Sequence, residues 1–448
     1  MAYIPHTEDD RRTMLKAVGV RSLDDLFQAV PAGVRFPDLD LPEAVSELEV
    51  MEELQALSEA NLDSRHTACF LGAGAYNHFV PSVVDHILRR GEFYTAYTPY
   101  QPEISQGTLQ AIFEYQSLIC NLTGMDVSNA SHYDGATALA EAVILAFNHH
   151  RGKRTKVILS PGVHPHYRGT VRTYMQGMGL TLAGDEALGN DSAGLAGLLD
   201  ADTMMVAVQY PDFFGRIEDF TALGKAAHAV GALLCVCVNP LALGLLKPPV
   251  EFDADVVVGD GQPLGIPMSF GGPSLGHFTV RKEFVRKMAG RLVGETVDSH
   301  GERGFVLTLS TREQHIKREK ATSNICTNVA LMALASAVYL SVMGKQGLRQ
   351  VAELCYHKAH YAAEQIRGLK GYSVWNRGEF FHEFVVRCPR PVAEINRFLL
   401  EECDSLGGFD LGGEYPELKD HMLIAVTEMN SKEQIDDLVA GLKEVAHV

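Results

Sequence analysis

The chain has 448 residues, too many for one ordinary compact core, and a prior of roughly 150 residues per domain suggests about three units. Hydrophobic residues make up 46% and charged residues 21%, the balance of a soluble globular protein. The formal net charge of −17 gives a surface that repels phosphate backbones and anionic lipid, which argues against nucleic-acid and membrane partners.

Residues 1–65 alternate polar and apolar positions at helical spacing. Short helices are expected over 8–18, 22–29 and 41–60, set apart by Pro31 and the PDLDLP turn. This segment reads as an extension that wraps a neighbour or the main domain. From 66 to 320 the pattern is α/β. Helical stretches at 107–123 and 137–150 alternate with the apolar runs KVILS (156–160), MMVAVQY (204–210), ALLCVCV (232–238) and ADVVVG (254–259). Such nearly continuous runs suit parallel strands covered on both faces by helices, and the connections are long enough for right-handed crossovers. A three-layer α/β/α domain is expected. The uncharged stretch 321–344 is long enough to span a bilayer, but Thr322, Asn324, Thr327 and Asn328 would be costly in lipid, so a buried helix explains it better. Residues 321–448 then read as this linking helix and a smaller α+β unit. Its strands are EFVVRC and HMLIAVTE, its helices PVAEINRFLLEE and a last one opened by a Ser431–Gln434 capping box.

Eight cysteines are scattered with no zinc-knuckle or C-x-x-C spacing. Cys235 and Cys237 share one face of a strand, where buried packing is expected. With no signal peptide, a reducing cytoplasm is the expected compartment.

Four segments carry candidate chemistry. FLGAGAYNHFVP (70–81) has two glycines that could bring backbone close to a phosphate, but the full G-x-G-x-x-G is missing and a tight turn competes. In EFYTAYTPYQPEISQGTLQ (92–110), Pro99 and Pro102 keep the chain extended ahead of a helix that Gly107 opens. Aromatic rings beside Gln101, Glu103, Ser105 and Gln106 could recognise a small polar molecule, or form a surface loop. In NASHYDGATALAEAV (129–143), Asp134 and Gly135 precede a strong helix whose dipole would face a ligand, though Asp134 equally suits an N-cap. SPGVHPHYRGTVRTY (160–174) follows a strand, where open α/β sheets bind ligands. His164 and His166 could stack on a ring, transfer a proton or bind a metal; without a carboxylate or cysteine set nearby, no metal site is expected. From 232 to 273 the only lysine is Lys247, outside the turn DGQPLGIPMSFGGP that closes the site.

The blocks LGAGAYNHFVP, RGEFYTAYTPYQPEISQGTLQAIFEYQ, YDGATALAEA, HPHYRGTVRTY and TREQHIKREKATSNICTN together resemble the amino-terminal half of the glycine cleavage system P-protein, over nearly the whole chain. The resemblance implies a fold-type I, pyridoxal phosphate (PLP)-dependent transferase-like architecture. A large three-layer α/β/α domain carries a smaller α+β carboxy-terminal domain. It also implies the split form of glycine dehydrogenase (decarboxylating), in which this half is subunit 1 and a separate subunit 2 carries the other half. Glycine is decarboxylated on PLP, and the remaining aminomethyl group passes to the lipoyl arm of the H-protein, which is reduced as it accepts it. Subunit 2 of that family holds PLP through a lysine. Here the matching run is GQPLGIPMSFGGP, and the lysine position falls on Pro263 when aligned from the preceding strand or on Gln262 when aligned from Pro267. Neither is an amine. Strand 232–239 offers Cys235, Cys237 and Asn239 where an acid for the pyridine nitrogen would sit.

PLP is therefore expected in the partner subunit, with none bound covalently by this chain. The resemblance further implies an α2β2 heterotetramer. Tyr94, Tyr97, Tyr100, Gln101, Glu103 and Ser105 would complete the partner's site, with Asn77 and His78 as neighbours and Asp134, Gly135, His164 and His166 beside the cofactor cleft. Two other readings remain: a self-sufficient PLP enzyme using Lys247 or Lys282, and a scaffold or H-protein docking subunit without a chemical role.

Overall fold

The computed structural model describes residues 5–376 and 378–446, and the chain separates into two compact units, Met1–Leu62 and Asp63–Val448. In the first, helices α1 (Glu8–Val18) and α2 (Glu47–Glu59) each open with a reciprocal capping box, Thr7 with Asp10 and Ser46 with Glu49. The helix expected over 22–29 is a single 3-10 turn, Asp24–Phe27. So short a stretch must meet the nucleation cost without burying a face. The helix expected from 41 starts only at Glu47: Pro42 holds Leu41 away from helical geometry, and Ser46 is the side chain that caps. No described residue of this unit is buried.

The second unit is built on a seven-stranded sheet. Its strands are β1 (Val127–Ser128), β2 (Lys156–Leu159), β3 (Thr181–Ala183), β4 (Thr203–Tyr210), β5 (Leu233–Val238), β6 (Val256–Asp260) and β7 (Gly276–Val280). Their spatial order is β1-β7-β6-β5-β4-β2-β3. Strands β2 to β6 run parallel, with Val236 opposite Val257 across β5 and β6. Strand β7 runs antiparallel to both β6 and β1, so the sheet is mixed, which the apolar runs alone did not reveal. Alternate residues feed two cores. Val157, Leu159, Met205, Cys235, Cys237, Val256 and Val258 pack on one face, and Ile158, Val206, Val208, Leu234, Val236 and Val257 on the other. Burial on both faces is why these strands read as unbroken apolar runs.

Helices α3 (Gln106–Thr123), α4 (Gly135–His149) and α5 (Pro165–Tyr174) frame the sheet, each with an apolar face in the core. The long helix α6 spans Ala330–Arg367 with a break at Gly344, whose φ of 58° glycine adopts at least cost. It begins nine residues later than the uncharged stretch 321–344, so Thr322, Asn324, Thr327 and Asn328 lie outside it. By length and composition it could cross a membrane, yet Ala333, Ala335 and Tyr339 are packed against Tyr115, Ile119 and Leu264 inside the protein. A four-stranded antiparallel sheet follows, in the order Ser373–Val374, Glu383–Arg387, His421–Ala425, Phe409–Asp410. Helices Val392–Cys403 and Lys432–Val445 cover it, and the Ser431–Gln434 capping box is present.

Candidate functional site

The carboxyl ends of β2, β4, β5 and β6 and the start of α4 surround a cleft, the usual ligand position in open α/β sheets. Its mouth is a cavity of about 560 Å³ lined by Gly74, Asp134, His164, His166, Tyr167, Asp260, Gln262 and the 267–274 loop. At its floor, beside Cys237, Val238, Asn239 and Pro263, only about 40 Å³ remains.

Asp134 caps α4, accepting from Thr137 N–H at 2.7 Å, so the capping reading holds. The first amide of that helix, Gly135 N–H, donates to Asp260 Oδ2 at 3.2 Å. Asp260 ends β6 and also accepts from Gln262 N–H at 2.9 Å and Ser274 Oγ at 2.6 Å. Burial pushes its carboxyl up, although these hydrogen bonds oppose the shift. Gln262 is consumed by the backbone. Its amide accepts from Tyr76 N–H at 3.0 Å and donates to Tyr76 O at 2.9 Å and Ile266 O at 2.8 Å.

His164 caps α5. Its Nδ1 accepts from His166 N–H at 3.1 Å, which leaves the proton on Nε2, 2.9 Å from Ala73 O. Burial pushes its pKa down to about 4, so the ring stays neutral. Gly74, at a φ of 103°, lets the 72–76 turn lie against that ring, and a Cβ there would fall 2.8 Å from Nε2. A Cβ on Gly72 would likewise collide with the Ala425 side chain, so both glycines serve packing within the chain. Tyr167 stacks on His164 with ring centroids 5.1 Å apart, and its hydroxyl reaches Gly135, where an added Cβ would lie 2.1 Å from Oη. His166 is exposed.

Asn77 and His78 lie elsewhere. The Asn77 carbonyl accepts from Thr427 Oγ1 at 2.7 Å, and buried His78 places Nδ1 2.8 Å from Glu428. Burial pushes Glu428 up, but hydrogen bonds from His78, Phe79 N–H and Cys355 outweigh it and hold the carboxyl down to about 2. Nearby, Glu383 accepts from Ala73 N–H and Tyr76 Oη, each at 2.8 Å, and burial raises it to about 7.

The aromatic loop forms a second, separate place. Tyr94, Tyr97, Tyr100 and Ile104 are 57 to 77% exposed, an unusual density of bare apolar surface, with Gln101 and Glu103 exposed and Ser105 half-buried beside them. Buried Arg291 pins the loop, donating to Tyr100 Oη at 2.9 Å and Thr98 Oγ1 at 3.3 Å, with Glu313 3.4 Å from its Nε. Tyr100, Arg291, Glu313, His315, Arg318 and Cys326 line a cavity of about 490 Å³. Gln106, expected as a possible ligand reader, is used up. It donates to Pro102 O and Phe305 O and accepts from Phe305 N–H, and α3 accordingly starts at Gln106 rather than Gly107.

The expected residues therefore fall into three groups: Asp134, Gly135, His164, Gln262 and Pro263 in the cleft, Asn77 and His78 by Glu428, and the tyrosines by Arg291. Sequence reasoning overlooked Tyr167, Asp260 and Arg291. The first two lie in quoted motifs, and an acid closing a valine run could have been flagged; nothing local marks Arg291. Lys247 sits 3.6 Å from Asp219 on the surface and Lys282 is exposed, and neither lines the cleft.

A family profile described as glycine cleavage system P-protein matches residues 1–442. A protein from Thermomicrobium roseum named "Probable glycine dehydrogenase (decarboxylating) subunit 1" is 58% identical, over 99% of each chain. The crystal structure of an inhibitor-bound glycine decarboxylase (P-protein) of the glycine cleavage system is 44% identical, covers 99% of this chain and 100% of its own, and superposes with a TM-score of 0.88. A sphingosine-1-phosphate lyase from Burkholderia pseudomallei, 15% identical over 93% of this chain and 94% of its own, superposes with a TM-score of 0.65 and shares the fold alone. The architecture is the fold-type I arrangement expected from the sequence.

Proposed function

The chain belongs to the glycine cleavage system P-protein family, and we propose that, as subunit 1 of a glycine dehydrogenase (decarboxylating), it works without a coenzyme of its own. Subunit 2 holds PLP, which supplies the electron sink for loss of carbon dioxide from glycine. The aminomethyl group that remains goes to the lipoyl arm of the H-protein. The assembly is read as two copies of each subunit in the cytoplasm. Eight free cysteines suit that reducing compartment.

One observation carries this reading: the cleft offers no amine that could anchor the coenzyme covalently. Among the described residues, none of those lining it is a lysine. Gln262 has its amide tied to Tyr76 and Ile266, and Pro263 has no side-chain nitrogen chemistry to offer. At the end of β5, Cys237 and Asn239 replace the acid that a pyridine nitrogen needs.

What this chain supplies is surface and orientation. Tyr94, Tyr97 and Tyr100 present bare rings, and Arg291 fixes Tyr100 and Thr98 from behind, so the loop can wall a site on the partner at little conformational cost. Glu103 and Gln101 add polar groups on the same exposed face.

The decisive measurement is glycine–bicarbonate exchange by each subunit alone and by the mixture, together with borohydride reduction of the pure chain incubated with PLP. Exchange only in the mixture, with no labelled lysine peptide from this chain, is expected. A labelled lysine, or exchange by this chain alone, ends the reading. Replacing Tyr97 or Glu103 by Ala in the mixture should lower turnover about tenfold or more. Unchanged turnover favours a scaffold without a chemical role.

A further inference from the structure

We infer that Tyr167 and Asp260 take, within this chain's own cleft, the places that a ligand's ring and anionic group would need, so that a pyridine phosphate is kept from that position rather than merely left without an anchor. The inference rests on the reading above only for the chemical class of what is excluded.

The start of α4 is already taken by side chains of this chain. Free N–H groups at a helix amino terminus attract phosphate. Here Gly135 N–H already donates to Asp260 and Thr137 N–H to Asp134. Two carboxyl groups stand where a phosphate would arrive, and like charges at contact distance disfavour it. Asp260 is not free to swing aside, because Ser274 Oγ and Gln262 N–H hold it.

The place for a ring is taken as well. A ligand ring would stack on His164, but Tyr167 already does so, 27° from parallel. Its hydroxyl lies so close to Gly135 that any side chain there would collide with it. The absent Cβ at Gly135 thus makes room for a residue of this chain. Below Tyr167 the floor holds about 40 Å³. At roughly 10–15 Å³ of such space per water, the floor admits about three waters, far less than the mouth above it.

Pyridoxine 5′-phosphate provides the test. It is fluorescent, carries the ring and the phosphate, and has no aldehyde with which to react with surface lysines. The full-length chain should show no saturable binding. The Tyr167→Gly/Asp260→Asn chain should bind one equivalent at least about tenfold more tightly, with inorganic phosphate competing. Binding to the unmodified chain as tight as to the double variant overturns the inference. So does a double variant that is folded by circular dichroism and binds nothing. If the double variant does not fold, Tyr167→Ala alone is measured against the same two outcomes. A borohydride-labelled lysine in the unmodified chain would defeat the functional reading instead, so the two failures are distinguishable.

Discussion

Glu383 is the residue whose chemistry can be followed most directly in solution. It is buried beneath the 72–76 turn, and burial raises its carboxyl to about 7 despite hydrogen bonds from Ala73 and Tyr76. A carboxyl with a folded pKa above its unfolded value of about 4.3 binds the extra proton in the folded state. Its stabilising contribution is complete below that unfolded value and is lost as pH rises through about 7. Over that window the loss can reach about 4 kcal/mol, at about 1.4 kcal/mol per unit. Glu141, also raised by burial to about 7, acts in the same range, so the measurement must be a difference. Denaturant unfolding of the Glu383→Gln chain should show a shallower fall in stability from weakly acid to neutral pH than the unmodified chain. Parallel curves would mean that Glu383 keeps its charge throughout. Glu428 works in the opposite sense. Held down to about 2, it stabilises above its unfolded value and gives this up only in strong acid. At this scale the sequence announced some roles and concealed others. Asp134 was readable as a cap because its partner Thr137 is three residues away. Tyr167 was not, because its neighbours Gly135, at the start of α4, and Asp260, at the end of β6, are 32 and 93 residues away in the chain.

Elements show the same division between local and distant causes. The strands lay where their apolar runs predicted, because burial on both faces leaves no room for polar interruption. The antiparallel strand β7 and the late start of α6 escaped, since direction and helix entry depend on where neighbours lie rather than on composition. The aromatic loop was legible as an unusual segment, but its anchoring was not. Gln106 spans to the hairpin strand Arg303–Thr308, exchanging two hydrogen bonds with the Phe305 backbone and a third with Pro102 O. Replacing it by Ala takes that partner from one N–H, of Phe305, and from two carbonyls, of Phe305 and Pro102. A loss of about 3 kcal/mol is expected from roughly 1 kcal/mol for each of the three hydrogen bonds lost. Because the loop then loses its hinge to the hairpin, turnover in the two-subunit mixture should fall as well, although no ring has been removed. A Gln106→Ala chain with unchanged stability and unchanged turnover would show that Arg291 alone positions the loop.

For the whole molecule, the question is where 448 residues find their stability. Within residues 63–448 it comes from cores on both faces of the large sheet and beneath the smaller one. The first 62 residues have no comparable source. Helices α1 and α2 contain 11 and 13 residues, at or below the roughly 12 to 15 at which isolated helices become marginal in water. Their capping boxes contribute only about 1 kcal/mol each. Leu23, Leu26, Phe27, Leu39, Leu41, Leu48, Met51, Leu54 and Leu57 are all exposed, and no described residue of the segment is buried. Ordering a backbone costs about 1–2 kcal/mol per residue, which caps and short-range ion pairs cannot offset without burial. A peptide of residues 1–62 should therefore be mainly coil by far-ultraviolet circular dichroism, gaining helix only when an apolar surface is supplied. Subunit 2 is the surface to try first, since the proposed function has this chain complete the partner's site. Helicity above about half in the isolated peptide would show that local propensity suffices. A peptide that stays coil in the presence of subunit 2 would show that the segment does not serve the assembly.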